Sequence, residues 1–418
     1  MEEWKEYKVA EVIEEISMGP FGSNIKRDNY VDSGVPYLNG SNLSSYKLNE
    51  ESFNYVTDEK AKSLGRCVAK RGDVIVTHRG TIGQISYIPY DSKYENYLTG
   101  NSQFRLTVNN KVIRPDFFAY YFHTRMGQHR LLANASQVGV PALARPTSTF
   151  KEVLVSVPKM EVQNKIMDIL HSLDDKIEVN RRINNNLEQQ AQALFKSWFV
   201  DFEPFKDQSF VESDLGMIPQ GWRVATLNEV GDVIGGSTPS KAKPEYYTDH
   251  GIAWLTPKDL SVSNAKFTAK GEFDITQEGY DSCSTKLMPK GTVLFSSRAP
   301  IGYITIAKND ICTNQGFKSV VPGYAGTAFI YCYLKAATPD IENKATGSTF
   351  KEASGSLMKS LQLKIAPKDI MDSFEKRLKP IFDEQECIED ESRRLAELRD
   401  TLLPRLMSGE LSVNDIKE

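Results

Sequence analysis

The chain has no apolar run approaching the ~20 residues that a membrane-spanning helix needs. Met1-Glu2-Glu3-Trp4-Lys5 opens on acids with no apolar stretch behind it, so a soluble, unsecreted protein is expected. Cysteine and histidine are scarce, five of each in 418 residues. Cys67, Cys283, Cys312, Cys332 and Cys387 are odd in number and form no CxxC pair, and the histidines lack ligand spacing. That predicts a reducing cytoplasm and no structural zinc. Pro-Pro is absent, which removes the Asn/Asp-Pro-Pro-aromatic pocket of an adenine methyltransferase. Gly-Lys is absent too, so no phosphate-cradling loop of a motor can form, and neither HExxH nor GxSxG occurs. Positive charge is not in excess: 51 Lys and Arg against 55 Asp and Glu leave a net charge of -4. Any contact with nucleic acid must therefore come from local basic surfaces or be shared with partners.

What the chain does have, it has twice. Ser33-Gly34-Val35-Pro36-Tyr37-Leu38 returns as His250-Gly251-Ile252-Ala253-Trp254-Leu255, each a turn entering a strand. Arg71-Gly72-Asp73-Val74-Ile75-Val76-Thr77-His78-Arg79 parallels Lys290-Gly291-Thr292-Val293-Leu294-Phe295-Ser296-Ser297-Arg298, with Ile82-Gly83 matched by Ile301-Gly302. A basic-Gly turn, a strand and an arginine-tipped exit thus recur. Asn101-Ser102-Gln103-Phe104 is echoed by Asn314-Gln315-Gly316-Phe317. Aromatic helical stretches follow both, from Phe117 to Phe122 and from Phe329 to Leu334; their helical spacing marks them as core rather than base-stacking platforms.

After Pro158 and Pro367 the glycine and proline punctuation thins and a heptad takes over. The first seam runs Ile166, Leu170, Leu173, Ile177, Asn180, Asn184, Leu187, Ala191, Leu194, Trp198. The second runs Phe374, Leu378, Ile381, Gln385, Ile388, Ser392, Leu395, Arg399, Leu402, Leu406. Two long helices packed as an antiparallel coiled coil are expected, with Asn180, Asn184, Gln385 and Ser392 fixing register. A helix from Met160 to Phe199 would be roughly 60 Å long. Pro380 should kink the second helix or mark its start. Arg181, Arg182, Arg393 and Arg394 lie outside the seam as a solvated face, while Trp198 and Phe199 read either as packing or as an anchor for a partner. The predicted fold class is α+β: two similar mixed α/β domains related by a pseudo-two-fold repeat, separated by two long antiparallel coiled-coil helices. Boundaries follow at 1–157 for the first domain, 158–205 for the first helix, 206–366 for the second domain with its linker, and 367–418 for the second helix.

Several stretches resemble the specificity (S) subunits of type I restriction-modification systems, over essentially the whole chain. They are Gly19-Pro20-Phe21-Gly22-Ser23, ALFKSWFVDFEPF from Ala193, LGMIPQGW from Leu215, GGSTPS from Gly235, Pro289-Lys290-Gly291-Thr292, Asn314-Gln315-Gly316-Phe317 and LLPRLMSGEL from Leu402. Their order and spacing carry the resemblance. The family's Glu-Gln near the helix start appears as Glu161-Val162-Gln163, but the second copy has Asp369-Ile370-Met371. The resemblance implies that each globular domain is a target-recognition domain reading one half of a bipartite site in double-stranded DNA. It also implies that the helices set the spacing and dock two modification (methyltransferase) subunits, with restriction (motor-nuclease) subunits joining the complex. The chain would be non-catalytic and bind no cofactor, its partners using S-adenosylmethionine, ATP and Mg. Competing readings are a specificity subunit of another methylation or cleavage assembly, and an interaction scaffold that does not read DNA.

Base edges are read mainly by bidentate Arg on guanine and by Asn or Gln on adenine, while Lys, Ser and Thr hold phosphates. The candidates on expected loops are Asn39, Asn42, His78, Arg79, Asn101 and Gln103 in the first copy, and Lys258, Ser297, Arg298, Asn314 and Gln315 in the second. Each has a scaffold alternative: Asn serves turn geometry, Arg79 and Arg298 end strands, and the Asn-Gln pairs support loops internally. Pro339-Asp340-Ile341-Glu342-Asn343-Lys344 superficially resembles the acidic and lysine residues of metal-dependent nucleases, but two acids so close after a proline are expected to decorate a surface loop.

Overall fold

The computed structural model describes residues 4–133, 135–136, 139–263, 265–298, 300–347 and 351–413. Residues 1–3 and 414–418, at the ends of the first and last expected segments, lie outside the described residues. The chain divides into two compact units, residues 1–176 with 395–418, and residues 177–394.

In the first unit the strands order as Ile13–Met18, Gln103–Val108, Asp73–Thr77, Ile85–Tyr87 in one sheet. A second sheet orders Tyr30–Val31, Asn54–Val56, Val35–Tyr37, Asn96–Leu98, Val68–Lys70, with the pair Val35–Tyr37 and Asn96–Leu98 parallel. Lys5–Lys8 pairs separately with Leu154–Val157. Helix α1 (Pro115–His123) starts with proline at its first turn, where the missing N–H costs nothing, and is buried from Pro115 to Phe122. Its rings join Ile166, Met167 and Leu170 of α2 (Met160–Phe199) in one core.

The second unit repeats this order. One sheet runs Gly231–Gly235, Lys318–Pro322, Val293–Ser297, Ile301–Ala307, with Phe267–Thr268 added at its edge. The other runs Tyr247–Thr248, Asp274–Ile275, Ile252–Leu255, Cys312–Thr313, the last pair again parallel. Arg223–Thr226 pairs with Gln362–Ile365. The basic-Gly turn is the clearest repeated detail: Gly72 has φ +88° and Gly291 φ +87°, a backbone region that a Cβ disfavours. Helix α3 (Thr327–Lys344) takes the place of α1. Its first N–H groups, at Ala328 and Phe329, donate to the carboxylate of Glu375 on α4 (Lys368–Met407) at 3.1 and 2.8 Å.

The heptads form two single helices of 40 residues each, and every seam position is buried or half-buried. In the second unit the pairing descends along α4 as it ascends α2: Asn180 Nδ2 donates to Glu391 at 2.7 Å and Ser392 at 3.2 Å, then Asn184 Nδ2 to Glu389 at 3.2 Å. The helices are antiparallel, held in register by these amides. Within the first unit Arg399 of α4 meets Asp174 of α2 at 2.7 Å. The described ends come together there, since a Cβ on Gly409 would lie 2.5 Å from Trp4 Nε1.

The helix start offered for Pro380 and the loop expected at Asp340 are corrected. Pro380 neither starts α4, which begins at Lys368, nor interrupts it. It sits on the exposed face, where the one backbone bond it forfeits leaves a carbonyl that water can reach. Asp340 and Glu342 are not in a loop but within α3, both exposed, with Asp340 paired to Lys344 at 2.7 Å one turn on. Two positions apart on a helix, their side chains diverge. The departure at the start of the second heptad is a real difference: Gln163 is a fully buried staple to Arg114, Val112 and Pro158, whereas Met371 at the matching place is fully buried and apolar. Trp198 and Phe199 resolve as packing, buried against Phe374.

Phe374→Ala should destabilise the protein by about 3–5 kcal/mol, because its ring is fully buried. Leu398→Ala, on the exposed face of the same helix, should cost within about 0.5 kcal/mol; denaturant unfolding of both variants checks the contrast.

Candidate nucleic-acid interface

In the second unit the loops that leave matched strand ends enclose a groove of about 1000 Å³. The strand Gly231–Gly235 exits into Gly236-Ser237-Thr238, whose course is fixed by close approach: a Cβ on Gly236 would fall 2.1 Å from the Asn314 carbonyl oxygen. Ser237 N–H donates to Thr313 O at 2.9 Å, and Trp254 Nε1 donates to Ser237 O at 3.1 Å. Apolar walls come from Trp254, Tyr247, Pro257 and Phe273, and polar groups from Lys258, Arg298, Asn314 and Gln315. Four of the five second-copy candidates therefore meet in one place, although they come from three separate segments; Lys258, expected on a loop, lies in the short helix Pro257–Ser263.

Their states differ. Lys258 is exposed and bonded to Glu272 at 2.8 Å, which raises its pKa from the usual lysine value. Arg298 is half-buried, 3.7 Å from Glu352, whose other oxygen is 3.3 Å from Lys318. Asn314 accepts the Gly316 N–H at 2.8 Å through Oδ1, which leaves its Nδ2 donors for the groove. Gln315 is exposed and accepts from Thr238 Oγ1. Ser297 is fully buried with its hydroxyl donating to Gly316 O at 3.1 Å, so it supports the loop and faces no ligand in this conformation.

In the first unit the corresponding loops also converge. Gly19 N–H donates to Gln103 O at 2.9 Å, His78 N–H to Ser102 O at 2.9 Å, and Leu143 N–H to His78 O at 2.8 Å. Arg79 is exposed and bridged to Ala142; Asn101 is exposed, with its backbone N–H on the Tyr37 hydroxyl at 3.2 Å. Asn39 is half-buried and caps a short turn, accepting from Ser41 N–H at 2.8 Å. Asn42 is 1% exposed, its amide spent on Asn39, Asn49 and Ser52. Gln103 is 2% exposed, with Oε1 accepting from Gly100 N–H at 2.8 Å. His78 packs its ring against Phe104 and leaves Nε2 buried without a partner, and burial pushes its pKa below the usual histidine value. Asn42 and Gln103 thus have the internal loop-support role among their two sequence readings.

Sequence reasoning passed over Phe21, 81% exposed next to Gly22, itself close to the Asn101 amide, and Arg145, exposed at φ +46° before Pro146. A left-handed backbone at a non-glycine residue marks strain, which clusters at functional loops. Phe21 carried a signal, standing in the Gly-Pro-Phe-Gly motif; Arg145 carried none that a single sequence displays. The groove's aromatic walls, Tyr247, Trp254 and Phe273, were missed because strand-forming aromatics read as core. No group of three or more metal-ligating side chains occurs among the described residues, and no helix among them is long and apolar enough to cross a membrane.

Gly236→Ala should push the 314–316 loop out of place and open the groove wall. Hydrogen exchange at the Ser237 amide should then quicken, while exchange along Val293–Ser297 stays slow, a contrast that amide-resolved exchange measures directly.

Residues 1–189 and 219–397 match the family described as the type I restriction modification DNA specificity domain, one match in each half of the chain. The type I restriction enzyme HindI specificity subunit of Haemophilus influenzae is 26% identical across 98% of this chain and 100% of its own length. The MjaIX specificity subunit of Methanocaldococcus jannaschii is 40% identical over a shorter stretch, 38% of this chain and 37% of that one. The crystal structure of the type I restriction-modification S subunit from M. genitalium shares the fold, with TM-score 0.60 and 16% identity over 97% of this chain and 96% of that one. With both repeated sheets and both long helices in place, the chain belongs to the DNA specificity family of type I restriction-modification systems.

Proposed function

We propose that this chain is the sequence-recognition subunit of a type I restriction-modification complex, with each unit reading one half of a bipartite site in double-stranded DNA. The observation that carries it is the repeated placement of an arginine at a strand exit and an asparagine on the adjoining loop, Arg79 with Asn101 and Arg298 with Asn314, in two units of one topology. In the second unit these groups line a groove whose apolar walls suit base edges, including a thymine methyl. In the first, the corresponding role falls to Asn39, Arg79 and Asn101, with Phe21 and Arg145, all exposed or half-buried; Asn42 and Gln103 there, and Ser297 in the second unit, bond to their own loops. The working divisions are 1–157 and 206–366 as readers and 158–205 and 367–418 as spacers.

Arg298 would read guanine through its fork, and Lys258 would hold a phosphate as a point charge. Methyl transfer and cleavage belong to partners: two modification subunits, docked on the helices and using S-adenosylmethionine, and restriction subunits using ATP and Mg. The modification partner must extrude its target adenine from the duplex, so this chain supplies address and geometry.

The decisive experiment maps methylated adenines in DNA from cells carrying this chain and its modification partner. A bipartite motif is expected; methylation without one, or equal binding of specific and scrambled duplexes, would leave a bare scaffold. Replacing Met1 to Val157 with a relative's first unit should change one half of that motif only. Arg298→Ala should relax one base position at a cost of about 1–3 kcal/mol. Lys258→Ala should instead weaken binding to all duplexes alike and reduce the salt slope by about 1, as binding measured across a salt series would register.

A further inference from the structure

Lys266 is 6% exposed, and an ammonium buried that deeply is costly unless it is paired. Its Nζ donates to Glu188 at 2.9 Å and to Gln385 Oε1 at 2.6 Å, one partner on α2 and the other on α4. The remaining approach is filled by ring faces, with Phe382 centred 3.4 Å away and Tyr331 4.3 Å away. The backbone is held as well: the Glu389 carboxylate accepts the N–H groups of Lys266 and Phe267 at 2.9 and 3.1 Å. Nearby, Lys308 meets Asp390 at 2.6 Å and Lys335 meets Glu188 at 2.8 Å. Burial would push Glu188 up, but Lys266 and Lys335 outweigh it and hold the carboxyl down to about 2, so it is an anion throughout the neutral range. One segment at the edge of the second unit's larger sheet therefore grips both long helices through directional bonds.

The first unit solves the same problem with the sides exchanged. The Tyr46 carbonyl accepts the Tyr87 N–H at 2.9 Å, as the Lys266 carbonyl accepts the Ile306 N–H at 2.7 Å, so Tyr46 stands in the place of Lys266. Here the cation comes from the helix: the Arg399 guanidinium lies 5.3 Å over the Tyr46 ring and bonds Asp174 at 2.7 Å, while Tyr46 stacks on Tyr120 at 4.1 Å. A cation, aromatic faces and a carboxylate occur at this position in both units.

We propose that Lys266, with Glu188, Gln385 and Glu389, is a positioning centre that fixes how the second recognition unit is set on its helix segments, and thereby which gap between half-sites the assembled enzyme accepts. The inference rests on the spacer reading given above. Its physical ground is that a buried ionic pair adds little net stability, because desolvation offsets attraction, and that its best-attested use is to fix one register. Apolar side chains of the same volume would hold the surfaces together but let them shift.

The test uses the chain assembled with its modification subunits, methylating duplexes that carry the mapped half-sites at the native gap and at one base pair shorter and longer. Wild type should methylate the native gap and discriminate against the other two. Lys266→Met combined with Glu188→Gln removes the pair while keeping volume. This variant should hold its thermal midpoint within a few degrees, keep both half-site sequences, and narrow the discrimination between gaps by about tenfold. Wild-type discrimination in the folded double variant overturns the proposal, as does relaxed half-site sequence in place of relaxed gap. Glu389→Gln, a milder change that keeps an acceptor for the strand, should narrow it by about threefold. If the double variant does not fold, undiminished discrimination in Glu389→Gln overturns the proposal instead. Equal wild-type methylation of all three gaps would bring down the spacer reading itself, and this inference with it.

Discussion

The ring of Phe374 meets Phe199 at 4.8 Å, Trp198 at 5.6 Å and Phe329 at 6.4 Å, and on this contact the second unit depends. Phe374 comes from α4, Trp198 and Phe199 from α2, and Phe329 from α3, so three segments far apart in the chain share one set of aromatic faces. Everything downstream uses the position this sets. Glu375, the next residue, caps α3 because Phe374 is buried beside it. The seam amides then have a fixed register in which to find partners. With the helix core in place, the five-stranded sheet lies against α3, and strand ends of both sheets carry the loops that enclose the groove. The first unit reaches the same result with Phe117, Phe118 and Phe122 of α1 against Ile166 and Leu170 of α2 and Leu403 and Leu406 of α4.

The family shown by the two matches and the topology shown by the sheets support each other at a level no single motif reaches. GPFGS and GGSTPS share little wording, yet they follow matching edge strands, Ile13–Met18 and Gly231–Gly235, of the corresponding sheets. Both also press a glycine on the loop opposite: Gly19 on Gly100, Gly236 on Asn314. The same backbone requirement has been met by different residues around it. That is how two copies can keep one scaffold while presenting different chemistry, Phe21 and Arg145 in the first and Trp254 and Phe273 in the second.

Much of the architecture was legible because it is periodic or repeated. The heptads gave both long helices, and the paired turns at Gly72 and Gly291 marked the repeat. What sequence could not supply depends on partners distant in the chain. Pro380 reads as a kink or a helix start until its exposed side is known, and the loop-supporting bonds of Asn42, Gln103 and Ser297 show only once their partners are placed. Lys266 carries no local signal at all: its role exists only because Glu188, Gln385 and Glu389 arrive from two helices. The groove was half visible, its polar residues from turn chemistry and its aromatic walls hidden among residues that also build strands.

The carboxylates beside the groove cations have a consequence for a chain with a net charge of -4. Lys258 rests on Glu272, and Arg298 and Lys318 share Glu352. Any polyanion that enters must first evict an acid already seated there, and an arbitrary stretch of genome offers only its backbone in exchange. On the DNA-reading role proposed above, such resident acids would shorten each visit to a wrong address, and wrong addresses outnumber right ones by about a millionfold or more.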